Sequence, residues 1–257
     1  MNGSQVKLFS LFGGVKLPPT SKHCMTKHSQ KLKVIFEDNH LLVVDKPALL
    51  ATMGVREGED SLINRARDYI KQKYNKPGNV YLGVVSRLDS FVTGVIVFAR
   101  TSKSASRLTE QFRSRSAKKK YWAIVPEGLS IENGQLEDRV VKNEARHRMV
   151  VVPKNSPAVE GEKIAKLSYK TLAKHNHYRL LEIELETGRK HQIRVQLENI
   201  QVPIVGDKKY GSNLPFKQGI ALHSRRLVIE HPTKKIIQSF ESEPPQCWDI
   251  GRFGLSD

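Results

Sequence analysis

Residues 181–200 read LEIELETGRKHQIRVQLENI, and the spacing of the apolar residues changes within this stretch. Up to Glu186 leucine or isoleucine alternates with glutamate, which predicts a strand with one buried and one solvated face. From His191 to Ile200 the apolar residues recur at helical spacing, so a short helix is expected there. The stretch therefore predicts a strand that turns directly into a helix.

The remaining apolar runs predict more strands than helices. A hairpin is expected from Val34–Phe36 and Leu41–Val44, because the four residues between them have turn chemistry. Ser61 is expected to cap a helix that reaches Tyr74. Other predicted elements are a helix at 102–115, strands at 94–99, 121–125 and 222–229, and two strands within 164–185 joined by a turn at His175-Asn176. Since strands and helices do not alternate regularly, the predicted fold class is α+β.

The organisation of the chain is predicted from its composition. Residues 1–33 are basic and turn-rich and are expected to form a flexible N-terminal arm, with one catalytic domain over residues 34–257. No run of about 18 apolar residues occurs, so no membrane span is predicted. Cys24 and Cys247 form no paired motif, which favours a reducing, cytoplasmic compartment. Nothing in the sequence indicates a large apolar patch, and a monomer is expected.

Charge gives the first indication of function. The formal net charge is +17 at pH 7, from 43 Lys and Arg against 26 Asp and Glu. Such a surplus attracts polyanions by counterion release and steered encounter, although a solubilising surface would show it too. One basic group, a candidate phosphate-binding surface, consists of Lys103, Arg107, Arg113, Arg115, Lys118, Lys119 and Lys120. The turn Arg146-His147-Arg148 is a second candidate.

Three patterns that could hold a metal or a phosphate have simpler explanations. The glutamates that alternate after Leu181 are expected to be the solvated face of a strand. His175 and His177 have no third ligand at metal-site spacing, so a surface turn is the preferred interpretation and no metal is predicted. Residues 206–212 lack a lysine directly after the second glycine, which excludes a P-loop.

Five segments remain, and their order is informative. They are VSRLDSFVTGVIV at 85–97, KKKYWAI at 118–124, TGRKHQIRV at 187–195, PIVGDKKYG at 203–211 and ALH at 221–223. Each has an ordinary explanation alone: Asp89 could cap a turn, Tyr121 could be core and Arg194 could be a surface residue. Together, and over about residues 34–245, they resemble the RluA-type family of pseudouridine synthases, and the short arm makes a member without an S4 RNA-binding module the expectation.

The resemblance implies a fold, a reaction and a set of site residues. The fold is a mixed, mainly antiparallel central sheet with flanking helices and an active-site cleft. The reaction isomerises specific uridines to pseudouridine in ribosomal or transfer RNA, after base flipping and without cofactor or metal. Asp89 would be the nucleophile, with Tyr121 and Arg194 as further catalytic residues. The substrate-binding residues implied are Arg87, Leu222, Lys119 and Arg189.

Departures from the family pattern leave alternatives open. Ser86 stands where the family usually has His, the stretch 90–94 is less polar than usual, and Gln196 stands where His is common. These differences affect expectations about substrate preference and rate. The competing hypotheses are a catalytically idle relative that binds or remodels RNA, and a ribosome-associated structural protein. Neither the RNA target nor the choice between attack at the sugar C1′ and at the base C6 can be read from the motifs.

Overall fold

The structure, a computed structural model, describes residues 31–128 and 132–254. Within these ranges eleven strands form one sheet and three α-helices pack on it. The strands are β1 Lys33–Glu37, β2 Leu41–Lys46, β3 Gly83–Val84, β4 Thr93–Ala99, β5 Lys118–Pro126, β6 Asn133–Asn143, β7 Arg148–Val152, β8 Lys163–His175, β9 Tyr178–Leu185, β10 Leu222–Glu230 and β11 Ile237–Glu241. The helices are α1 Leu62–Lys73, α2 Ser102–Ser114 and α3 Gln192–Asn199. Residues 1–30, most of the predicted arm, and Cys24 lie outside the described residues.

Sheet order brings distant segments together. The strands follow the order β1-β2-β4-β10-β5-β9-β8-β6-β7, with β11 added to β10 and β3 to β4. All these pairs are antiparallel except β10–β4, which is parallel at Thr93 and Gly94. The predicted α+β class with a mixed, mainly antiparallel sheet is therefore confirmed. Because β10 lies between β4 and β5, three motifs far apart in sequence meet at one end of the sheet.

Local sequence signals account for most element boundaries. The Ser61 hydroxyl accepts a hydrogen bond from the Asn64 N–H and begins α1, as predicted. Thr101 caps α2 in the same way. Strand β2 ends at Lys46, directly before a proline that cannot donate to a ladder. The two predicted strands within 164–185 are β8 and β9, and their turn falls at 176–177.

Four strands were not predicted: β3, β6, β7 and β11. In β6 only Val140 is fully buried, so the strand lacks the apolar alternation that would identify it. The predicted basic turn is the connection between β6 and β7, and Arg148 already belongs to β7. Backbone pairing with β8 holds the polar strand β6, and the short apolar strand β7 pairs in turn with β6.

The core lies on both faces of the central strands. Leu42 and Val44 of β2 pack into the larger apolar cluster with α1, and α3 adds Ile193 to it. Leu41 and Val43 face the other side, into a second cluster with α2. Burial on both faces explains the continuous apolar run of β2. It also provides a rigid base for the loop that leads into β4.

Candidate active site

A cavity of about 70 Å³ lies where α3 begins, beside β5, β10 and the loop before β4. Six of the seven predicted site residues line it: Asp89, Tyr121, Arg194, Arg87, Arg189 and Leu222. The seventh, Lys119, does not. It is half-buried on β5 with its ammonium 5.8 Å from the centre of the Phe112 ring, and burial lowers its pKa.

Asp89 lies on a loop whose backbone is held on both sides of the carboxylate. The buried Thr52 hydroxyl donates to the Leu88 carbonyl at 2.7 Å and accepts from the Leu88 N–H at 3.2 Å. The Lys46 ammonium donates to the Ser90 carbonyl at 3.1 Å, and burial lowers its pKa to about 7 against the opposing charge of Asp89. Residues 88 and 90 are thus both anchored to the segment 46–52. This anchoring orients Asp89, which lies between them.

The loop ends in a close approach of two strands. Gly94 has φ +107°, and a Cβ there would lie 2.3 Å from the Ser224 carbonyl oxygen, so only glycine fits. Beside it the Thr93 hydroxyl lies 2.8 Å from His223 Nδ1, and His223 Nε2 lies 2.8 Å from the Ser242 carbonyl. A carbonyl can only accept, so Nε2 carries the proton and Nδ1 accepts from Thr93. These contacts fasten the start of β4 to β10.

Arg194 connects two carboxylates across the cavity. Its Nη1 donates to Asp89 Oδ2 at 2.9 Å, while Nε and Nη2 donate to the two oxygens of Asp207 at 2.6 and 2.9 Å. Arg194 is 3% exposed and Asp207 1%. Burial disfavours the charged guanidinium, but Asp207 and Asp89 outweigh it and raise the pKa of Arg194 above its ordinary value. Arg194 thus pairs with Asp89, and Asp207 fixes the orientation of the guanidinium.

Tyr121 and Leu222 line the side of the cavity that is formed by the sheet. The side chains come from neighbouring strands, with Leu222 of β10 opposite Ala123 of β5. Burial raises the pKa of Tyr121 to about 12, with the negative charge of Asp89 acting in the same direction and the Ser224 hydroxyl against it. The phenol is therefore protonated at neutral pH and available as a hydrogen-bond donor.

The turn before α3 is built from its own motif. The Gln192 side-chain oxygen accepts from the Thr187 hydroxyl at 2.7 Å and from the Arg189 N–H at 2.9 Å. The Gln192 amide donates to the Lys166 carbonyl, and Arg189 Nε donates to the Ile164 carbonyl. Arg189 thus lines the cavity with part of its guanidinium tied to β8.

Two residues near the nucleophile received no role from the sequence. Asp207 is the bidentate partner of Arg194, and His191 lines the cavity with Nε2 3.6 Å from Asp89 Oδ2. Burial lowers the pKa of His191 to about 4, while the charge of Asp89 acts in the opposite direction. Both residues belong to motifs read from the sequence, TGRKHQIRV and PIVGDKKYG, so the sequence could have indicated them. Their hydrogen-bond partners could not be predicted from those motifs.

The basic residues near the cavity differ in exposure and in whether their side chains already have a hydrogen-bond or ion-pair partner. Arg87 lines the cavity, is exposed, and has no hydrogen bond or ion pair within residues 31–128 and 132–254. Lys120 lies on the opposite face of β5 from Tyr121 and pairs with Glu182 at 3.0 Å, and Arg107 donates to the Pro232 carbonyl. Of the seven residues predicted to bind phosphate, the exposed ones are Lys103, Arg113, Arg115 and Lys118, and Arg113 pairs with Glu110.

Two kinds of site are absent from the described part of the chain. No group of three or more His, Cys, Asp or Glu side chains there could hold a metal ion. Among the same residues no helix combines the length and apolar character needed to cross a membrane. His175 lies at the end of β8, and His177 is an exposed turn residue 3.9 Å from Glu127. Of the two histidines, His177 lies in the predicted surface turn, whereas His175 belongs to β8.

Comparison with known proteins identifies the family of the chain. The family model described as RNA pseudouridylate synthase matches residues 40–199. The chain is 30% identical over 231 residues to a protein named ribosomal large subunit pseudouridine synthase D from Pseudomonas aeruginosa, covering 84% of this chain and 69% of that one. It is 34% identical over 225 residues to the protein of the same name from Nitrosomonas europaea, covering 83% and 62%. The chain thus spans roughly two thirds of the length of these relatives.

A solved structure has a similar fold. Human RNA Pseudouridylate Synthase Domain Containing 4 superposes with a TM-score of 0.71 at 24% identity, covering 88% of this chain and 94% of that one. At this identity the similarity concerns the fold alone.

Proposed function

Since the chain belongs to the RNA pseudouridylate synthase family, whose members are isomerases, we propose that it converts specific uridines of ribosomal or transfer RNA to pseudouridine with Asp89 as nucleophile. The observation that carries the proposal is the Asp89 carboxylate, 29% exposed in the cavity and 2.9 Å from the buried Arg194 guanidinium. In the reaction the uracil N1–C1′ bond breaks and a C5–C1′ bond forms. The C5 proton leaves to solvent and N1 ends protonated, so the product is an isomer of the substrate.

Asp89 has the properties that a carboxylate nucleophile requires. A guanidinium that cannot lose its proton lies beside it, and the hydrogen bond between them sets the direction of the carboxylate. The backbone on both sides is anchored by Thr52 and Lys46, which limits reorganisation during attack. Attack at C1′ and attack at C6 would use the same carboxylate.

Tyr121 and Leu222 would contact the uracil. The Tyr121 ring offers an apolar face for the base, and its protonated hydroxyl can donate to the substrate or relay a proton. Leu222 closes the apolar side of the same cavity. A cavity within the protein requires the uridine to be flipped out of its RNA stack, which costs a few kcal/mol.

Arg87 is the candidate to offset that cost. It is exposed at the cavity, two residues before Asp89, and has no competing partner among the described residues. A guanidinium can stack on bases and donate hydrogen bonds, so it can fill the space left by a flipped nucleotide. Arg189 and Lys119 are proposed to bind RNA phosphates from the α3 side and from β5. In this proposal the catalytic domain comprises residues 34–257, and it acts as a monomer in the cytoplasm.

The RNA target is proposed from the names of the relatives. Two of them are named for the large ribosomal subunit, so its RNA is the first substrate to test and transfer RNA the second. Recognition of folded RNA depends on shape and unpaired bases, which explains why the motifs do not specify it.

Tritium release from RNA labelled at uracil C5 tests the proposal. Wild type is expected to release tritium, whereas Asp89→Asn is expected to lose about 10⁴-fold or more of the rate, because a neutral amide cannot replace the nucleophile. Asp68→Asn, at an exposed position on α1, is the matched control and should behave as wild type. RNA remodelling by a wild type that forms no pseudouridine would instead favour an idle RNA-binding relative.

A further inference from the structure

A chain of three hydrogen-bonding groups leads from β7 to Asp89: the Met149 N–H, the Tyr210 hydroxyl and the His191 ring. The Tyr210 hydroxyl accepts from the Met149 N–H at 3.1 Å and lies 2.8 Å from His191 Nδ1. Tyr210 is 0% exposed, and these two are its only hydroxyl partners among the described residues. A buried hydroxyl proton needs an acceptor, and Met149 N–H is a donor, so the proton must point to His191 Nδ1.

This arrangement determines the tautomer of His191. With Nδ1 accepting from Tyr210, the ring proton of the neutral imidazole lies on Nε2, the atom 3.6 Å from Asp89 Oδ2. The ring is neutral because burial lowers its pKa to about 4. The charge of Asp89 opposes this shift, whereas Arg194, Lys190 and Lys209 favour it. An N–H group therefore faces the carboxylate without adding a positive charge.

The two oxygens of Asp89 have different surroundings. Arg194 Nη1 and His191 Nε2 both lie on the side of Oδ2, at 2.9 and 3.6 Å. Within the described residues no group donates to Oδ1. A distance of 3.6 Å is too long for a full hydrogen bond, but such contacts commonly shorten when substrate closes the site.

We propose that His191 is a positioning residue for the nucleophile, held by Tyr210 as the neutral Nε2–H tautomer so that it and Arg194 restrain Oδ2 and leave Oδ1 toward the substrate. The proposal rests on Asp89 being the nucleophile of the proposed function. It assigns separate roles to the two donors: Arg194 supplies charge, and His191 supplies direction.

Nitrogen NMR of protein labelled with ¹⁵N-histidine tests the tautomer without any RNA. The His191 signals are identified as those lost in His191→Gln. We expect a protonated Nε2 and an unprotonated Nδ1, unchanged from about pH 8 down to about pH 5. A proton on Nδ1, or a charged ring at neutral pH, would overturn the proposal. Because no catalysis is involved, this result stands apart from success or failure of the tritium assay.

Kinetics then test the positioning role. His191 has φ +52°, a conformation that asparagine tolerates, so His191→Asn keeps the backbone. Its Oδ1 can accept from Tyr210 in place of Nδ1, but the shorter side chain does not reach Asp89. We expect kcat to fall about 10- to 100-fold, the range for one hydrogen bond to a charged group, with KM unchanged. His191→Gln, which retains an N–H of similar reach, should recover part of the loss. Equal kcat in wild type and His191→Asn would exclude the role.

The contribution of Tyr210 has its own control. Tyr210→Phe removes only the hydroxyl, so the His191 signals should show both tautomers and kcat should fall. Tyr169→Phe changes another buried tyrosine, on β8 and away from the cavity, and should leave both measurements unchanged. If Tyr210→Phe keeps a pure Nε2–H tautomer, Tyr210 does not hold the ring and the proposal fails.

Discussion

The two walls of the cavity hold their side chains in different ways. The nucleophile wall, residues 86–93 with their supporting residues 46–52, is irregular between the ends of β2 and β4, and side chains that bond to its backbone hold it in place. The cationic wall, residues 187–195 with their supporting residues 207–210, contains the start of α3, and its side chains bond to one another. A substitution on the first wall should therefore move the carboxylate, whereas one on the second should change the charge or direction of the donors facing it.

The largest effect in this comparison is expected on the cationic wall. Arg194→Lys keeps a positive charge but cannot bond Asp89 and both oxygens of Asp207 together. We expect the single-turnover rate to fall about 10²- to 10³-fold, the cost of losing one preorganised donor, with little change in RNA affinity. Rapid-quench tritium release and filter binding measure the two quantities.

Arg226→Lys on β10 is the control for that change, since Arg226 is exposed and remote from the cavity. It should leave the rate and the affinity as in wild type. If Arg194→Lys instead binds RNA poorly but reacts at the normal rate, Arg194 serves binding, and the distinction between the walls fails.

An intermediate effect is expected on the nucleophile wall. Thr52→Val is nearly isosteric but leaves the buried N–H and carbonyl of Leu88 without their partner, at about 1–3 kcal/mol of unfolding free energy. The Asp89 loop should shift, and kcat should fall roughly tenfold or more, because a misplacement of about 1 Å can cost 10²-fold. Thr52→Ser retains the hydroxyl and should restore both thermal stability and kcat. Equal values for the two variants would mean that Thr52 does not orient the loop.

The smallest effect concerns pH, since a buried neutral histidine lies in the cationic wall and another contacts the nucleophile wall at Thr93. Burial lowers the pKa of His191 and of His223 to about 4; Asp45 opposes the shift of His223, whereas Arg225 and Lys33 favour it. Between about pH 6.5 and pH 4 the unfolded chain binds more protons than the folded one at these residues. Their contribution therefore makes the free energy of unfolding decrease as pH falls through that window.

Urea unfolding at about pH 7.5 and pH 5 measures this dependence. Replacing either histidine with asparagine should reduce the decrease, whereas His177→Gln, an exposed histidine, should not. The two histidines share a pKa direction but differ in surroundings. His223 bonds to neutral groups at both nitrogens, while His191 directs one nitrogen to the nucleophile. If only the His191 variant changes the pH dependence of the free energy of unfolding, burial does not suppress the protonation of His223.

Local patterns allowed much of the fold to be predicted. The starts of α1 and α2 follow from capping residues, each of which accepts a hydrogen bond from the N–H three positions later. A few residues are therefore enough to predict where each helix begins. The alternation at 181–186 identified the inner face of β9, although Leu185 is only half-buried because it lines the cavity. Strand β6 was missed because its stability comes mainly from backbone pairing, which leaves little apolar pattern. Strand β7 was missed although its sequence RMVVV contains an apolar run.

Within the site, the motifs identified the residues better than their partners. Asp89, Tyr121 and Arg194 were expected and all line one cavity. Lys119 was expected to bind substrate, yet its ammonium lies over Phe112 and outside the lining. How a side chain on a strand is oriented, and how far it extends, depend on the residues that pack against it. Those residues come from distant parts of the chain.

The sequence by itself determined the fold class, the elements that cross the sheet centre, and the residue types that the chemistry needs. These depend on periodicity, capping and motif order, which act over a few residues. Only the tertiary structure decided that Arg194 spans 105 positions to reach Asp89, that Asp207 orients it, and that His191 turns an N–H toward the same oxygen. Those contacts depend on the strand order β4-β10-β5-β9, and pairing between distant strands is a property of the whole sheet.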